Sequence, residues 1–366
     1  MKRTLPAFLS VFFILIGLVY LTGLTGGETG GPYLQHPKEE IQAETPKDPI
    51  LFIKEEDADI LHLTYGWKGF YEVSYLLTFD LSKKELEKSE DEVGYVLEEL
   101  ESFLEGKLAP LRTEMITFLR SFTESQIGRS QFSQYFTVQD TDSLSFNIKI
   151  TAPPDLYAEV KAEFDKITRQ IADHQEKYFK NIEKENQRWM GKYLEERGLR
   201  YSNGKISVNY GEMVRKNSKR IREIVLRLKE LNRKTNLNIF LTTLLSFIQK
   251  IDYGIPELEE NGKYVLGFWP PLKVLGNNFG DCDSKSVTFA SSWINISGYP
   301  ILLMKIPNHM FIGLAMPTHQ ESGIRINGLR YTMCEVTGPD KFPPGMISNY
   351  SQMYIKSGRF TYELIR

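Results

Sequence analysis

Residues 276–300 read GNNFGDCDSKSVTFASSWINISGYP, a glycine-rich turn running into a helix. Val287, Phe289, Ala290, Trp293 and Ile294 supply the helix's apolar face, and Gly298-Tyr299-Pro300 stops it. This spacing sets Cys282 at or just before the helix N-terminus. The partial positive charge there stabilises a thiolate, the nucleophilic form of cysteine. Asp281 and Asp283 oppose that effect if their side chains face the sulfur. A lone cysteine is most often a buried structural residue. The polar G-D-C-D-S setting argues against burial here.

Working outward, the pattern changes to strands. Ile301–Ile306 is the first, and a second begins at His309 and runs to Leu314. Tyr331-Thr332-Met333-Cys334-Glu335-Val336-Thr337 is a third. The last two can pair antiparallel through a long, polar, glycine-rich connection, which brings His309 and Glu335 side by side. Successive strand residues face opposite sides, so Cys334 then faces away and reads as core. A disulfide between Cys282 and Cys334 is not expected. The chain thus orders a cysteine nucleophile, a base and an orienting carboxylate as Cys282, His309 and Glu335. The histidine takes the thiol proton or pairs with the thiolate, and the carboxylate fixes the ring tautomer. Read as a metal site, the same three residues lack a fourth ligand and any close-spaced ligand pair.

Upstream, Leu241, Leu244, Leu245, Ile248 and Ile251 mark a helix that ends before Tyr253-Gly254-Ile255-Pro256, and Ile221, Ile224, Val225, Leu228 and Leu231 mark another. With these in view, residues from about 201 to 350 resemble bacterial and archaeal transglutaminase-like cysteine peptidases. The resemblance rests on Phe247-Ile248-Gln249-Lys250-Ile251-Asp252-Tyr253, Pro271-Leu272 followed by Gly280-Asp281-Cys282-Asp283, Asn308-His309-Met310-Phe311, and Tyr331 with Cys334-Glu335-Val336-Thr337. It covers about two fifths of the chain. It implies an α+β fold with a papain-like core, a helical subdomain plus an antiparallel sheet. It further implies Cys282 as nucleophile, His309 as general base and Glu335 as orienting acid, where many relatives carry Asp. Gln249 matches a position that could donate to an oxyanion beside the Cys282 backbone N–H; the alternative is a glutamine bonded to backbone. The implied activity is hydrolysis of protein or peptide amide bonds through a thioester, with transfer to amines also open, and no cofactor. The competing reading is a catalytically silent, membrane-tethered peptide-binding module.

The remainder of the chain reads as an anchor, a linker and an accessory domain. Lys2 and Arg3 precede an uncharged apolar run from Leu5 to Leu24. At about 1.5 Å per residue this run spans the roughly 30 Å hydrocarbon core. The expectation is a single-pass anchor with a cytoplasmic N-terminus and extracytoplasmic domains; a cleaved signal segment is the alternative. Residues 25–49, rich in Gly, Pro, Glu and Lys, read as a linker. Residues 50–200 read as an α/β accessory domain with long helices, and 201–366 as the catalytic domain. Within the accessory domain, Ile60–Tyr65 and Tyr71–Phe79 read as strands, and Ser82-Lys83-Lys84-Glu85 opens a helix that Pro110 breaks or kinks. Leu144, Phe146, Ile148 and Ile150 alternate as a half-buried strand. Val160, Phe164, Ile167, Ile171, His174, Tyr178 and Ile182 form a helical seam, either a partner-binding coiled-coil arm or an amphipathic helix packed on its own domain. Asn203-Gly204 reads as a tight turn and domain boundary.

Composition excludes several classes. Of 366 residues, 41% are apolar and 25% charged, a globular balance that rules out long disorder and a polytopic membrane protein. Net charge is −2, without the basic excess of a nucleic-acid binder. Two cysteines exclude a disulfide scaffold, and five histidines never fall at the spacing of a zinc finger or an HExxH protease.

Overall fold

The computed structural model describes residues 9–12, 51–142, 144–232, 236–316, 323–338 and 341–366. The chain is mixed α+β, 49% helical and 27% strand, and the pairings of its longer strands are all antiparallel, which excludes a parallel α/β architecture. It divides into two compact units, Met1–Leu34 with Leu97–Tyr193 and Gln35–Val96 with Leu194–Arg366. The anchor expected at residues 5–24 lies outside the described residues except for Leu9–Phe12 (β1), which pairs as a strand with residues 147–150 and so departs from the expected membrane helix, and the linker 25–49 lies wholly outside them. Among the described residues no helix is long and apolar enough to cross a membrane.

The first unit is built on two long helices, α2 (Leu97–Arg129) and α3 (Tyr157–Glu196), with β5 (Phe136–Asp142) and β6 (Ser145–Ile150) between them in sequence. Its sheet runs β1-β6-β5. β6 alternates as predicted, burying Phe146, Ile148 and Ile150. The α3 seam residues Val160, Phe164, Ile167 and Ile171 are buried together with Met115 and Leu119 of α2 and Ile148 and Ile150 of β6. The seam is therefore an internal core. His174 lies in it as a packed ring, 4.5 Å from Phe122 and 5.2 Å from Phe118. Pro110 does not break α2. A proline removes one backbone bond, and buried Leu108, Met115 and Leu119 on either side hold the helix through it.

In the second unit β2 (Leu51–Glu56), β3 (Ile60–Lys68) and β4 (Ser74–Ser82) form an antiparallel meander. Leu61, Leu63, Tyr65 and Trp67 alternate into its core. Ser82 then caps α1 (Lys83–Asp91), its hydroxyl accepting from Glu85 N–H at 3.4 Å as the S-K-K-E spacing predicts. The apolar run from Val93 onward does not continue that helix. Gly94 takes φ +93, and a Cβ there would meet the Tyr264 carbonyl oxygen at 2.6 Å, so this turn requires glycine.

Residues 51–96 thus correct the expected single accessory domain over 50–200. Tyr65 and Trp67 pack against Phe247 at 5.2 and 5.0 Å, Trp67 Nε1 donates to Ser246 Oγ at 3.2 Å, and the Tyr65 hydroxyl donates to the Leu275 carbonyl. These contacts tie the meander to the C-terminal elements. Asn203-Gly204 does form a tight turn, both residues at positive φ, between β7 (Leu199–Ser202) and β8 (Lys205–Val208). It lies inside the second unit, not at its border.

Helices α4 (Tyr210–Arg220), α5 (Arg222–Glu230) and α6 (Leu237–Lys250) follow. Next come β9 (Asp252–Tyr253), the short hairpin β10 (Glu259–Glu260) and β11 (Lys263–Tyr264), α7 (Pro271–Asn277), β12 (Phe279–Gly280) and α8 (Cys282–Trp293). The chain then forms β13 (Ile301–Ile306), β14 (His309–Leu314), β15 (Gly323–Ile326), β16 (Leu329–Cys334), α9 (Asn349–Lys356) and β17 (Thr361–Ile365). The five strands make one antiparallel sheet in the order β15-β16-β14-β13-β17. The connection between the two predicted strands is long because it contains β15. The third predicted strand ends at Cys334 instead of Thr337.

Candidate active site

The helix start is fixed locally. Asp281 has extended backbone and caps α8, its Oδ1 accepting Ser284 N–H at 2.9 Å. Just before it, Phe279 and Gly280 pair in parallel with Asp252 and Tyr253. Cys282 is then the first residue of α8. The helix is buried on every side. Ser291 Oγ donates to the Val214 carbonyl of α4 at 3.4 Å, and Ser286 Oγ to the Met310 carbonyl of β14 at 3.3 Å. The latter bond sets the opening turns of α8 against the start of β14.

Cys282 itself is only 1% exposed, which corrects the expectation that its polar neighbours would keep it out of the interior. Those neighbours find partners inside. Asp281 bonds the helix N–H, Ser284 Oγ accepts Trp269 N–H at 3.0 Å, and Asp283 Oδ2 accepts the Tyr210 hydroxyl. The other oxygen of Asp283 accepts the Cys282 thiol at 3.3 Å. Asp283 therefore does face the sulfur and favours the protonated thiol. Burial, reinforced by the Asp283 charge, holds the Tyr210 phenol well above its ordinary range. On the ring of Tyr210 sits the Lys305 ammonium, 4.1 Å from the centroid.

His309 and Glu335 meet as predicted. Ile312 pairs with Cys334 in the β14–β16 ladder, and His309 Nε2 lies 2.8 Å from Glu335 Oε1. Glu335 is 3% exposed and accepts further bonds from Thr337 Oγ1 at 3.3 Å and Ser351 Oγ at 3.2 Å. Three hydrogen-bond partners fix this carboxyl group in place. With Nε2–H given to the carboxylate, Nδ1 becomes the basic ring nitrogen. Cys334 faces the core, fully buried, and burial pushes its thiol up to about 12. Neither cysteine is in a disulfide.

Gln249 has a different task from the predicted oxyanion donor. Its Nε2 donates to the Glu335 carbonyl at 2.6 Å and the Phe342 carbonyl at 2.8 Å, which uses both amide hydrogens. The backbone alternative is the one realised, and Gln249 pins the segment that carries the acid. Gly338 makes this approach possible, since a Cβ there would lie 2.3 Å from the Gln249 carbonyl oxygen.

Sequence reasoning passed over Lys285. It is fully buried on α8, and its Nζ donates to the Ile251 carbonyl at 2.5 Å. Burial draws its ammonium down to about 7, against the pull of Asp252, Asp281, Cys282 and Glu335. Tyr210 and Ser351 were also missed. No local pattern marks any of the three, because each is recruited by a partner distant in sequence. A cavity of about 230 Å³ lies between the α1 end and the residues that lead into α7, and its lining includes none of Cys282, His309 and Glu335. Phe268 and Trp269 form one of its walls and Glu90, Glu260 and Lys273 are among its charged lining. No family model, curated protein or solved structure matches the chain.

Proposed function

We propose that the second unit is a papain-like, transglutaminase-like cysteine peptidase or amidase acting on protein or peptide amide bonds. The observation that carries this reading is the His309–Glu335 pair at 2.8 Å, set on the strand against which the Cys282 helix packs. In the reaction, His309 Nδ1 accepts the Cys282 proton and the thiolate attacks the amide carbonyl. The C–N bond breaks to leave a thioester, and the imidazolium returns the proton to the departing amine. Water then cleaves the thioester to a carboxylic acid and restores the thiol; an amine in its place gives a new amide. The backbone N–H of Cys282, at a helix N-terminus, would donate to the oxyanion.

A second reading has its own support. The buried thiol bonded to Asp283 suits a silent site that binds peptides without attacking them. The full-length protein, alkylated with iodoacetamide from pH 4 to 9 and mapped by mass spectrometry, separates the two. Rapid labelling of Cys282 well below pH 8.5, slowed by His309→Ala, supports catalysis. An ordinary thiol indifferent to His309→Ala favours the binding module.

A further inference from the structure

Lysine is almost never buried without a charged partner, because its ammonium loses the most on leaving water. Lys285 is nevertheless 0% exposed. It follows Cys282 by three positions on α8, so the two share a helix face. Helical side chains lean toward the N-terminus, and the long stem of Lys285 therefore runs back toward the first turn. There its ammonium bonds the Ile251 carbonyl, and the ionisable groups that act on it most strongly are acids. Asp252 comes from β9, Asp281 and Cys282 from the start of α8, and Glu335 from the end of β16. Asp281 and Glu335 are themselves buried. A purely mechanical tie to Ile251 would need only a neutral donor. A cation is what this cluster needs, because the negative charge of a thiolate would appear within 4.8 Å of the Asp281 and Asp283 carboxylates.

We propose that Lys285 is a positioning residue for Cys282, whose buried charge favours the thiolate and makes the nucleophile dependent on a lysine as well as on His309. The inference rests on the proposed reading of Cys282 as a nucleophile. Lys285 touches no substrate in this account and acts through the sulfur alone. Its proton is also only weakly held at neutral pH, since burial brings the ammonium to about 7. Thiolate formation and lysine protonation are therefore coupled, each raising the other's population.

The test is the pH dependence of Cys282 alkylation in the full-length wild type, Lys285→Met, Lys285→Arg and His309→Ala. Lys285→Met should raise the labelling midpoint by about one pH unit and slow labelling at pH 7 about tenfold, as expected for loss of a nearby opposite charge. Lys285→Arg should recover part of the shift. If Lys285→Met leaves the midpoint unchanged while His309→Ala moves it, Lys285 is only a structural tie and the active-site reading stands. A wild-type midpoint near 8.5 that neither variant moves overturns both. Should Lys285→Met fail to fold, the coupling is read from the other end. The ¹⁵Nζ titration of Lys285 should move to lower pH in Cys282→Ser, and an unmoved titration rejects the proposal.

Discussion

The two units bury different things. Among the described residues, Leu97–Tyr193 buries no charged side chain, and its interior is Leu, Ile, Met, Phe and Val from α2, α3 and the small sheet. The second unit buries Lys250, Asp281, Asp283, Lys285 and Glu335 within its core. An apolar interior is stabilised by area removed from water. Buried charges work against that gain unless each is paired and hydrogen-bonded. The first interior is what a fold needs in order to persist. The second carries charges that oppose folding, and Asp281, Asp283 and Lys285 among them lie at one helix start.

Substitutions in each unit test this contrast. The largest effect should come from Phe164→Ala in the helical unit, which removes a ring from the apolar seam. It should destabilise that unit by about 4 kcal/mol in chemical denaturation, while Cys282 alkylation in the folded protein stays within twofold of wild type. A comparable change in labelling would show that the two interiors are not separable. Next, Glu335→Gln should keep the fold but weaken the hold on the His309 tautomer. It should lower the pH 7 labelling rate of Cys282 about a hundredfold, roughly 3 kcal/mol in barrier. An unchanged rate would remove Glu335 from the site.

A smaller effect concerns stability against pH. The folded protein holds the Lys285 proton with a value of about 7, below the ordinary 10.5 of the unfolded chain. Between those values the unfolded chain binds more protons, so raising pH favours the native state. Wild type should therefore gain a few kcal/mol relative to Lys285→Met between pH 7 and 10, measured by urea unfolding. A flat difference would mean that the buried amine keeps its proton across this range, as in the unfolded chain. The smallest effect should be Tyr65→Phe, which removes the hydroxyl bond to the Leu275 carbonyl and should cost about 1 kcal/mol. A neutral result would leave the aromatic packing on Phe247 as the main tie of the meander.

The same contrast explains what could be read in advance. The α3 seam, the alternation of β6 and the α1 cap are local and periodic, and the structure repeats them. The His309–Glu335 meeting was legible because strand pairing converts spacing in sequence into proximity. The membership of residues 51–96 was not, since nothing within β3 says that Tyr65 and Trp67 face Phe247, some 180 residues away. Gln249 was matched to a donor role because its neighbours fit a motif, yet the carbonyls that consume its hydrogens come from the segment after β16. Cys282 misled, and Lys285 was passed over, for one reason. A helix written D-C-D-S-K-S looks half-exposed by polarity, and only its enclosure by α4, β14 and the turn at Trp269 shows that it runs through the interior.

The position of Cys334 has a consequence for oxidative damage. A sulfenic acid formed at Cys282 is rescued as a disulfide within the chain only if a second thiolate attacks it. Cys334 is the chain's one other cysteine, and its sealed thiol, ionising at about 12, supplies essentially no thiolate. A disulfide that protects oxidised Cys282 must therefore come from a small thiol outside, admitted to a sulfur that is itself almost covered.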